Sequence, residues 1–403
     1  MRLLLNIFYL LFVIIYCCEC KTGFGPGEQD WDYVEVRPDA HMFWWLYYNT
    51  ENITRPESKP LLIWLQGGPG GSSTGIGNFQ ELGPLDSKLN PRNSTWVKQY
   101  NVLFIDSPVG TGFSYVKNQS ALTKNNTQAA LDLIECLRGF YKKLPEFQNS
   151  SVYITAQSYG GKIAIEFALL LDKAIKQGQI KSNIKGVALI DSWISPIDYV
   201  TTWASFLLQV GSIDNDGFIQ IDKEAKLCKQ FLNEGKFEAA TDQWLATEIT
   251  IQRITRNIDF YNILSKINTS LNSFGDFLDL PSELNKPKTL TELMNTDVKN
   301  TLNIPDHVDW KETNRIVFHE FSEDFMKPAI HLVEEVLNTT SLKVYVVSGQ
   351  LDLIVDTPGT YKWVMDMNFK DKQNWLSTSR DPLIVNDIIE GFMKSITILH
   401  FIG

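Results

Sequence analysis

The sequence has few cysteines and histidines and no long apolar run beyond its first twenty residues. Of its five cysteines, only Cys136 and Cys228 lie clear of the amino-terminal segment, so the mature chain has either one disulfide or two free thiols. No spacing of Cys and His is typical of a metal site, and we expect neither a metal nor another cofactor. We also expect no internal membrane-spanning helix.

Basic residues are outnumbered by acidic ones. There are 37 Lys and Arg against 47 Asp and Glu, which gives a formal net charge of -10 and a pI of about 5.1. This charge disfavours binding to nucleic acid, so we expect no nucleic-acid partner. Hydrophobic residues make up 44% of the 403 positions, which is enough for one large globular domain with a full core.

The amino terminus carries an apolar run from Leu3 to Tyr16. This run is shorter than an ordinary membrane span and is typical of a secretory signal peptide, with cleavage near Cys18 to Cys20; a membrane anchor is the alternative. We therefore predict a signal peptide at 1–20 and a mature domain at 21–403 that does not associate with membranes. The expected destination is the lysosome or the outside of the cell.

Entry into the secretory pathway would allow N-glycosylation. Seven Asn-X-Ser/Thr sequons then become candidate sites, although some sequons stay unused because the motif is short. Their asparagines are Asn52, Asn93, Asn118, Asn125, Asn149, Asn268 and Asn338.

A candidate nucleophile lies between a strand and a helix. Val152 to Thr155 is a β-branched run typical of a buried strand, and Lys162 to Leu171 has the pattern of an amphipathic helix. Between them, Ala156-Gln157-Ser158-Tyr159-Gly160 matches the nucleophile elbow G-x-S-x-G, with Ala in place of the first Gly. Such a turn exposes the Ser158 hydroxyl and directs helix N–H groups at a reacting carbonyl. An ordinary strand–turn–helix with an exposed serine is the alternative.

A glycine-rich loop follows the apolar strand Leu61 to Leu65. Its sequence is Gln66-Gly67-Gly68-Pro69-Gly70-Gly71-Ser72-Ser73, so the backbone can approach a ligand closely and point several N–H groups in one direction. A phosphate-binding loop would need a Lys and a spacing that are missing here. The loop instead fits the second oxyanion donor of an α/β-hydrolase.

Predicted strands alternate with helices along the chain, which indicates an α/β protein with a mainly parallel sheet covered on both faces. The predicted strands are Asp39–Tyr48, Leu61–Leu65, Val102–Asp106, Val152–Thr155, Gly186–Asp191 and Lys343–Gly349. From about 195 to 305 the pattern is helical and polar, and it predicts an inserted cap over the strand ends. An insertion that contacts no substrate is the alternative.

An acid after a late strand is the usual position of the triad carboxylate in this fold, which makes Asp352 a candidate and Asp356 its rival.

These stretches resemble the serine carboxypeptidase family from about residue 31 to 395. The matching motifs are WLQGGPGGSS at 64–73, DSPVGTGFSY at 106–115, QSYGG at 157–161 and SGQLDLIVDT at 348–357, while DAHMFWWLYY and DSWISP are most similar to the retinoid-inducible subgroup. The resemblance implies an α/β-hydrolase fold with a helical insertion. It also implies removal of the C-terminal residue from peptides or proteins through an acyl-enzyme that water hydrolyses.

The resemblance further implies roles for individual residues. Ser158 corresponds to the nucleophile and Asp352 to the carboxylate that orients the catalytic histidine. The backbone N–H groups of Gly68 and Tyr159 correspond to the oxyanion hole. The residues implied to bind the terminal carboxylate of the substrate are Gln66, Gly67, Glu81 and Gln157.

Position 157 departs from the family, which usually has Glu there, paired with the residue that matches Glu81. Two close carboxyls share a proton and donate to the substrate carboxylate only while protonated, whereas an amide donates at any pH. We therefore expect Gln157 to preserve more carboxylate binding near neutral pH than Glu would.

The catalytic histidine is the second departure. The family has it in a Gly-His-Met-Val-Pro motif after the acid, and this sequence contains no such motif. His400 is the only histidine after Asp352, and the three residues behind it are too few to hold a catalytic loop. We expect the other four, His41, His307, His319 and His331, to be structural or solvated. The resemblance stops after Ser395, which predicts a truncated carboxyl end and a sheet without its last strand.

The leading interpretation is a serine-type carboxypeptidase of the secretory pathway that acts on the C-termini of peptides or proteins. A catalytically inactive carboxypeptidase-like binding protein is the first alternative, because the histidine motif is missing. The second is an acyltransferase that passes the acyl group to an alcohol instead of water. The sequence indicates neither the side-chain preference nor the oligomeric state.

Overall fold

The computed structural model describes residues 23–51, 55–265 and 289–403. The predicted signal peptide at 1–20 and the sequons at Asn52 and Asn268 lie outside these residues. The described strands are β1 Gln29–Arg37, β2 Ala40–Tyr47, β3 Leu61–Leu65, β4 Asn101–Ile105, β5 Tyr115–Val116, β6 Ser151–Ser158, β7 Asn183–Ser192, β8 Lys343–Val347, β9 Arg380–Val385, β10 Ile388–Ser395 and β11 Leu399–Ile402.

Helices of several lengths connect these strands. The α-helices are α1 Asn126–Lys143, α2 Tyr159–Lys176, α3 Pro196–Gln209, α4 Asn215–Asn233, α5 Phe237–Thr255, α6 Leu290–Leu293, α7 Lys299–Thr301, α8 Arg315–Glu320, α9 Ser322–Phe325, α10 Ile330–Thr339, α11 Thr357–Asp366 and α12 Lys372–Ser377. Ser73–Leu82 and Met294–Val298 are π-helical. The short 3₁₀ turns are Pro56–Ser58, Trp96–Lys98, Gln119–Ala121 and Pro145–Asn149.

All eleven described strands form one sheet, in the order β1-β2-β4-β3-β6-β7-β8-β11-β10-β9, with β5 beside β2. The six strands from β4 to β11 in this order are parallel, and the outer strands are antiparallel. This mostly parallel sheet with helices confirms the predicted α/β-hydrolase fold class. The carboxyl ends of parallel strands share one edge, so the loops after β3, β6, β7 and β8 meet there.

Strand β2 shows why the sheet is covered on both faces. Its side chains alternate, so Trp44 lies in the apolar cluster that includes α1 and α2, while Phe43 and Trp45 lie in a second cluster that includes 290–310. All three rings are fully buried. The aromatic run at 39–48 therefore forms a strand that is buried on both faces.

The carboxyl-terminal residues correct one prediction. Strand β11 pairs with β8 in parallel register, with Leu399 opposite Val344 and Ile402 opposite Val347. The expectation of a sheet without its last strand was therefore wrong. The prediction relied on the recognised sequence motifs, which end before Ser395. It gave no weight to the largely apolar residues at 398–402, a pattern that is typical of a buried strand.

Within the described residues, the chain between β7 and β8 consists of helices and loops and has no strand. Trp203 and Trp244, which lie in the predicted insertion, are both buried. Cys136 and Cys228 are both free and buried, which settles the choice between a disulfide and two thiols. No helix in the described part of the chain is long and apolar enough to cross a membrane.

Candidate active site

The turn at Ser158 has the strained geometry that a nucleophile elbow requires. Ser158 ends β6 directly before α2, and its backbone has φ +52° and ψ -129°. Residues other than glycine rarely adopt such angles, and they persist where surrounding contacts hold them. One such contact is the Trp193 N–H, which donates to the Ser158 carbonyl oxygen at 2.9 Å. The sequence prediction of a sharp strand–turn–helix at Ser158 agrees with this conformation.

Glycines bring the backbone close to Ser158 from both sides. A Cβ at Gly160 would lie 2.5 Å from the Leu65 carbonyl oxygen, which leaves no room for a side chain. A Cβ at Gly67 would lie 2.6 Å from the Ser158 Cβ. The glycine-rich loop and the elbow are therefore in direct contact, and Gly67 lies beside Ser158.

The backbone N–H groups of Gly68 and Tyr159 are both available to a ligand. Tyr159 is the first residue of α2, where an N–H has no acceptor within the helix. Gly68 has φ +115°, and its N–H donates to no backbone carbonyl in the described part of the chain. Two free N–H groups on either side of a serine are suited to stabilise an oxyanion bound to it.

A buried carboxylate holds the glycine-rich loop in place. Asp106, which follows β4, accepts hydrogen bonds from Ser72 Oγ at 2.9 Å and from Thr74 N and Oγ1 at 3.0 and 2.7 Å. It also accepts from Phe113 N at 2.9 Å. Burial raises the pKa of Asp106. The sequence motif at 106–115 therefore supports the loop, a role that its residues alone did not reveal.

Three residues predicted to bind a carboxylate contact one another. Gln66 Nε2 donates to Gln157 Oε1 at 2.7 Å and to Glu81 Oε1 at 3.1 Å. Trp64 Nε1 donates to Gln66 Oε1 at 2.9 Å, which fixes the orientation of that amide. Because Gln157 directly precedes Ser158 in the chain, the cluster lies next to the serine.

Glu81 has an unusual charge state within this cluster. Burial raises the pKa of Glu81 to about 7, although hydrogen bonds from Gln66 and Gln157 and the charge of Arg92 oppose the shift. Its Oε2 atom is buried and has no hydrogen-bond partner among the described residues. A protonated carboxyl can donate to a second carboxylate, whereas an ionised one repels it. The cluster therefore suits an anionic ligand best below about pH 7.

The loop after β8 carries Asp352 to the edge of the sheet where β6 ends. Asp352 Oδ1 accepts a hydrogen bond from Val355 N at 3.0 Å. The Phe260 carbonyl oxygen, which belongs to the insertion, accepts from Leu353 N at 2.8 Å and from Ile354 N at 3.1 Å. The insertion thus fixes the backbone that presents Asp352.

Asp356, the other candidate for the triad carboxylate, makes hydrogen bonds that stabilise the fold. It is fully buried, caps α11 by accepting from Gly359 N at 3.1 Å, and accepts from Thr202 Oγ1 at 2.8 Å. These bonds join α11 to α3. Asp352 is therefore the better candidate for the triad carboxylate.

Asp191 is a third acid at this edge. The sequence analysis placed it at the end of a predicted strand and in a resemblance motif, but gave it no role in the site. It lies in β7 with φ +39°, and its Oδ1 accepts from Gly349 N at 2.7 Å. Burial raises the pKa of Asp191 to about 6. The pKa of Asp352 is raised well above its usual value by burial first and by Asp191 second. An acid at the end of a central parallel strand was the signal that could have identified it.

No hydrogen bond joins a histidine to Ser158, although all five histidines belong to the described residues. His400 lies within β11, where its Nδ1 is 2.9 Å from Ser395 Oγ and its ring stacks on Tyr345 at 4.5 Å between centroids. Three strand spacings, about 14 Å, separate β11 from β6. His400 therefore lies in the interior of the sheet, away from Ser158, and contacts Ser395 and Tyr345 instead.

The remaining histidines also lie elsewhere. His41 stacks on Tyr115, and His307 contacts the same ring edge-on. His319 on α8 and His331 on α10 are exposed. These positions agree with the expectation that the four histidines are structural or solvated.

Comparison with known proteins identifies relatives of the whole chain. The family model described as serine carboxypeptidase matches residues 21–403. The chain is 45% identical over 354 residues to the retinoid-inducible serine carboxypeptidase of Rattus norvegicus, which covers 85% of this chain and 78% of that protein. It is 41% identical over 391 residues to the Homo sapiens protein of the same name, which covers 93% and 86%.

Among solved structures, the chain resembles Kex1(delta)p, a prohormone-processing carboxypeptidase from Saccharomyces cerevisiae. The TM-score is 0.79, and the match covers 93% of this chain and 86% of that one. The sequences are 20% identical, so this likeness establishes the fold.

Proposed function

The chain belongs to the serine carboxypeptidase family, and we propose that it removes the C-terminal residue of peptides or proteins with Ser158 as its nucleophile. One observation carries the proposal: the strained Ser158 directly follows Gln157, which is hydrogen-bonded to the Gln66–Glu81 pair. An exopeptidase needs this arrangement because the bond that it cleaves lies one residue from a free carboxylate. Donors beside the serine then select for chain ends.

In the proposed reaction, Ser158 Oγ attacks the carbonyl carbon of the last peptide bond. The N–H groups of Gly68 and Tyr159 stabilise the negative charge that develops on the carbonyl oxygen. The proton of the Ser158 hydroxyl passes to the amide nitrogen as the C–N bond breaks and the C-terminal amino acid leaves. Water then attacks the acyl-enzyme, returns a proton to Ser158 Oγ and releases the shortened peptide. Asp352 is the candidate triad carboxylate. None of the five histidines is placed to hydrogen-bond to both Asp352 and Ser158.

The test uses one peptide in two forms, with a free C-terminal carboxylate and with a C-terminal amide. We expect mass spectrometry to show loss of one residue from the free acid and no change in the amide. Ser158→Ala should abolish this loss. Ser192→Ala, at the residue paired with Ser158 in β7, is the matched control and should keep activity.

Other outcomes identify the alternatives. A peptide acid that binds the protein but keeps its full length would indicate the inactive binding protein. An ester product formed in the presence of an alcohol would indicate acyl transfer.

We propose that the insertion at about 195–305 belongs to the same domain, at 21–403, and contributes to the site. The bonds from Leu353 N and Ile354 N to the Phe260 carbonyl support this proposal, because they join the insertion to the Asp352 loop. Substitutions that loosen this contact, such as Trp203→Phe beside Phe260, should therefore lower activity.

We infer that the chain enters the secretory pathway and carries N-linked glycans. The apolar run at 3–16 supports a signal peptide at 1–20. The five described sequon asparagines, at 93, 118, 125, 149 and 338, are all exposed. Expression in cells followed by endoglycosidase digestion should lower the apparent mass in gels. An unchanged mass would contradict the inference, and immunofluorescence would distinguish lysosomal from secreted protein.

A further inference from the structure

We propose that the segment 312–325 sets the spacing between the two oxyanion donors, with Asn314 and Asp324 as positioning residues. The segment contains α8 and α9, and it contacts both parts of the chain that supply these donors. The inference rests on the proposed function, because it concerns the N–H groups of Gly68 and Tyr159.

The first contact is with the helix that follows Ser158. Tyr159 Oη donates a hydrogen bond to Asp324 Oδ2 at 2.8 Å, and Lys162 Nζ lies 3.1 Å from the same oxygen. Lys162 Nζ also donates to the Asp324 carbonyl oxygen and lies 5.1 Å from the centre of the Tyr159 ring. Asp324 is 8% exposed and Lys162 3%, so water cannot replace these bonds readily. The first turn of α2 is thus fixed to α9 by two side chains.

The Tyr159 ring is also enclosed by aromatic side chains of the same segment. It stacks on Phe325, with centroids 5.8 Å apart and planes 5° from parallel. It meets Phe321 edge-on at 5.7 Å and 85°. Because the ring is fully buried, the backbone of Tyr159 cannot rotate without displacing these neighbours. The direction of its N–H is therefore determined partly by the segment 312–325.

The second contact is with the glycine-rich loop. Asn314 N donates to the Gly70 carbonyl oxygen at 3.0 Å, and Ser72 N donates to the Glu312 carbonyl oxygen at 3.0 Å. Asn314 Nδ2 donates to the Gly110 carbonyl oxygen at 2.8 Å. A Cβ at Gly70 would lie 2.9 Å from the Asn314 carbonyl oxygen, so the two backbones touch.

One short segment therefore joins two donors that lie far apart in the sequence. Oxyanion stabilisation depends on donor position to within fractions of an ångström, and a displacement of about 1 Å can cost about 100-fold in rate. A buried ion pair adds little net stability because burial removes both charges from water. The Lys162–Asp324 pair is better explained by the geometry that it imposes on α2.

The test compares three variants with one control. Asp324→Asn removes the ion pair, and Tyr159→Phe removes only the hydrogen bond to Asp324. Asn314→Ala removes the side-chain bond to Gly110 and the cap that Asn314 Oδ1 provides to Ile316 N at the start of α8. We expect each variant to lower kcat by about tenfold or more. KM for a peptide acid should change by less than about twofold, because the Gln66–Glu81–Gln157 cluster is untouched. Asp132→Asn breaks another ion pair, between the buried Asp132 and the partly exposed Arg37 at 2.7 Å, and should leave kcat unchanged.

A second readout separates this inference from the proposed function. The rate at which a fluorophosphonate labels Ser158 also depends on the oxyanion donors and needs no peptide cleavage. If the wild-type protein shortens no peptide, the proposed function fails, and the labelling rates still test the inference. Folded variants that are labelled at the wild-type rate would overturn it. If Asp324→Asn does not fold, Tyr159→Phe and the double variant Lys162→Met/Asp324→Asn test the same contact without an unpaired buried charge.

Discussion

At the scale of single residues, the amide at position 157 leaves the Gln66–Glu81–Gln157 cluster with one carboxyl, so one group sets how the charge of the cluster changes with pH. Gln157 Oε1 accepts a hydrogen bond from Gln66 Nε2, which also donates to Glu81 Oε1. Glu81 is therefore the one titrating group in the Gln66–Glu81–Gln157 cluster. Its protonation governs whether the cluster attracts or repels a second carboxylate.

The first prediction concerns Glu81. Because the pKa of Glu81 is raised to about 7, the group is neutral at lower pH and gains a negative charge as the pH rises through 7. We expect KM for a peptide acid to stay constant between pH 5 and 6 and to rise above pH 7. Glu81→Gln should remove this rise, which steady-state kinetics across the pH range would measure. A KM that rises equally in both proteins would contradict the role of Glu81.

The second prediction concerns Gln157→Glu. The new carboxyl would lie next to Glu81, and two close carboxyls hold one proton between them. We expect KM for peptide acids to rise steeply between pH 5 and 7 in this variant and much less in the wild type. Identical pH profiles would show that position 157 does not contact the substrate carboxylate.

At the scale of elements, the sequence predicts strands best where their residues are locally distinctive. β2, β3 and β6 have continuous apolar or β-branched runs, and each is found within a few residues of its predicted bounds. β11 was missed because the expectation followed family resemblance instead of the apolar pattern. The hairpin of β9 and β10 was missed because its residues are largely exposed and lack a buried periodic face.

The third prediction tests the contact between the insertion and the Asp352 loop. Trp203 is fully buried and packs edge-on against Phe260 at 5.7 Å. Trp203→Phe should loosen Phe260, whose carbonyl holds Leu353 and Ile354, and should lower kcat/KM.

Trp375→Phe provides the matched control. Trp375 is equally buried, and neither indole N–H has an acceptor within the described residues. Each substitution should destabilise the fold by roughly 1–3 kcal/mol, as thermal unfolding would show. Equal loss of activity in both variants would mean that the insertion has no specific effect on the site.

At the scale of the whole molecule, several carboxyls are buried without a cation. Glu248 on α5 is fully buried, and neither of its oxygens has a partner in the described part of the chain. Burial raises the pKa of Glu248 well above its usual value and raises that of Asp356 to about 8. In the unfolded chain such groups ionise at about pH 4. Folding therefore retains protons that unfolding releases.

The fourth prediction is that the protein is more stable in acid than in weak base. A carboxyl whose pKa is raised on folding contributes stability fully below its unfolded pKa and loses it as the pH rises through its folded pKa. For Asp356 this window extends from about pH 4 to about pH 8. Each such group can lower stability by about 1.4 kcal/mol per pH unit within its window. We expect a higher Tm at pH 5 than at pH 8, with a smaller difference in Glu248→Gln. An unchanged difference in that variant would contradict the role of Glu248.

The site itself was only partly predictable from the sequence. Local patterns indicate Ser158 and the glycine-rich loop, whereas the individual roles of Gly68 and Gln66 are implied by the family resemblance. The contact between Tyr159 and Asp324 joins residues 165 positions apart and depends on how α9 packs on α2. The raised pKa of Glu81 likewise results from burial in the folded chain. Neither feature has a local pattern that a sequence argument can detect.

We propose above that Ser158 works beside a cluster that binds the free carboxylate of a peptide. The most direct measurement is the rate of single-residue loss from a peptide acid and from the matching amide, with wild type and Ser158→Ala. We expect the acid alone to be shortened, by one residue at a time, and only by the wild type. Equal cleavage of the amide, or cleavage that persists in Ser158→Ala, would contradict the claim.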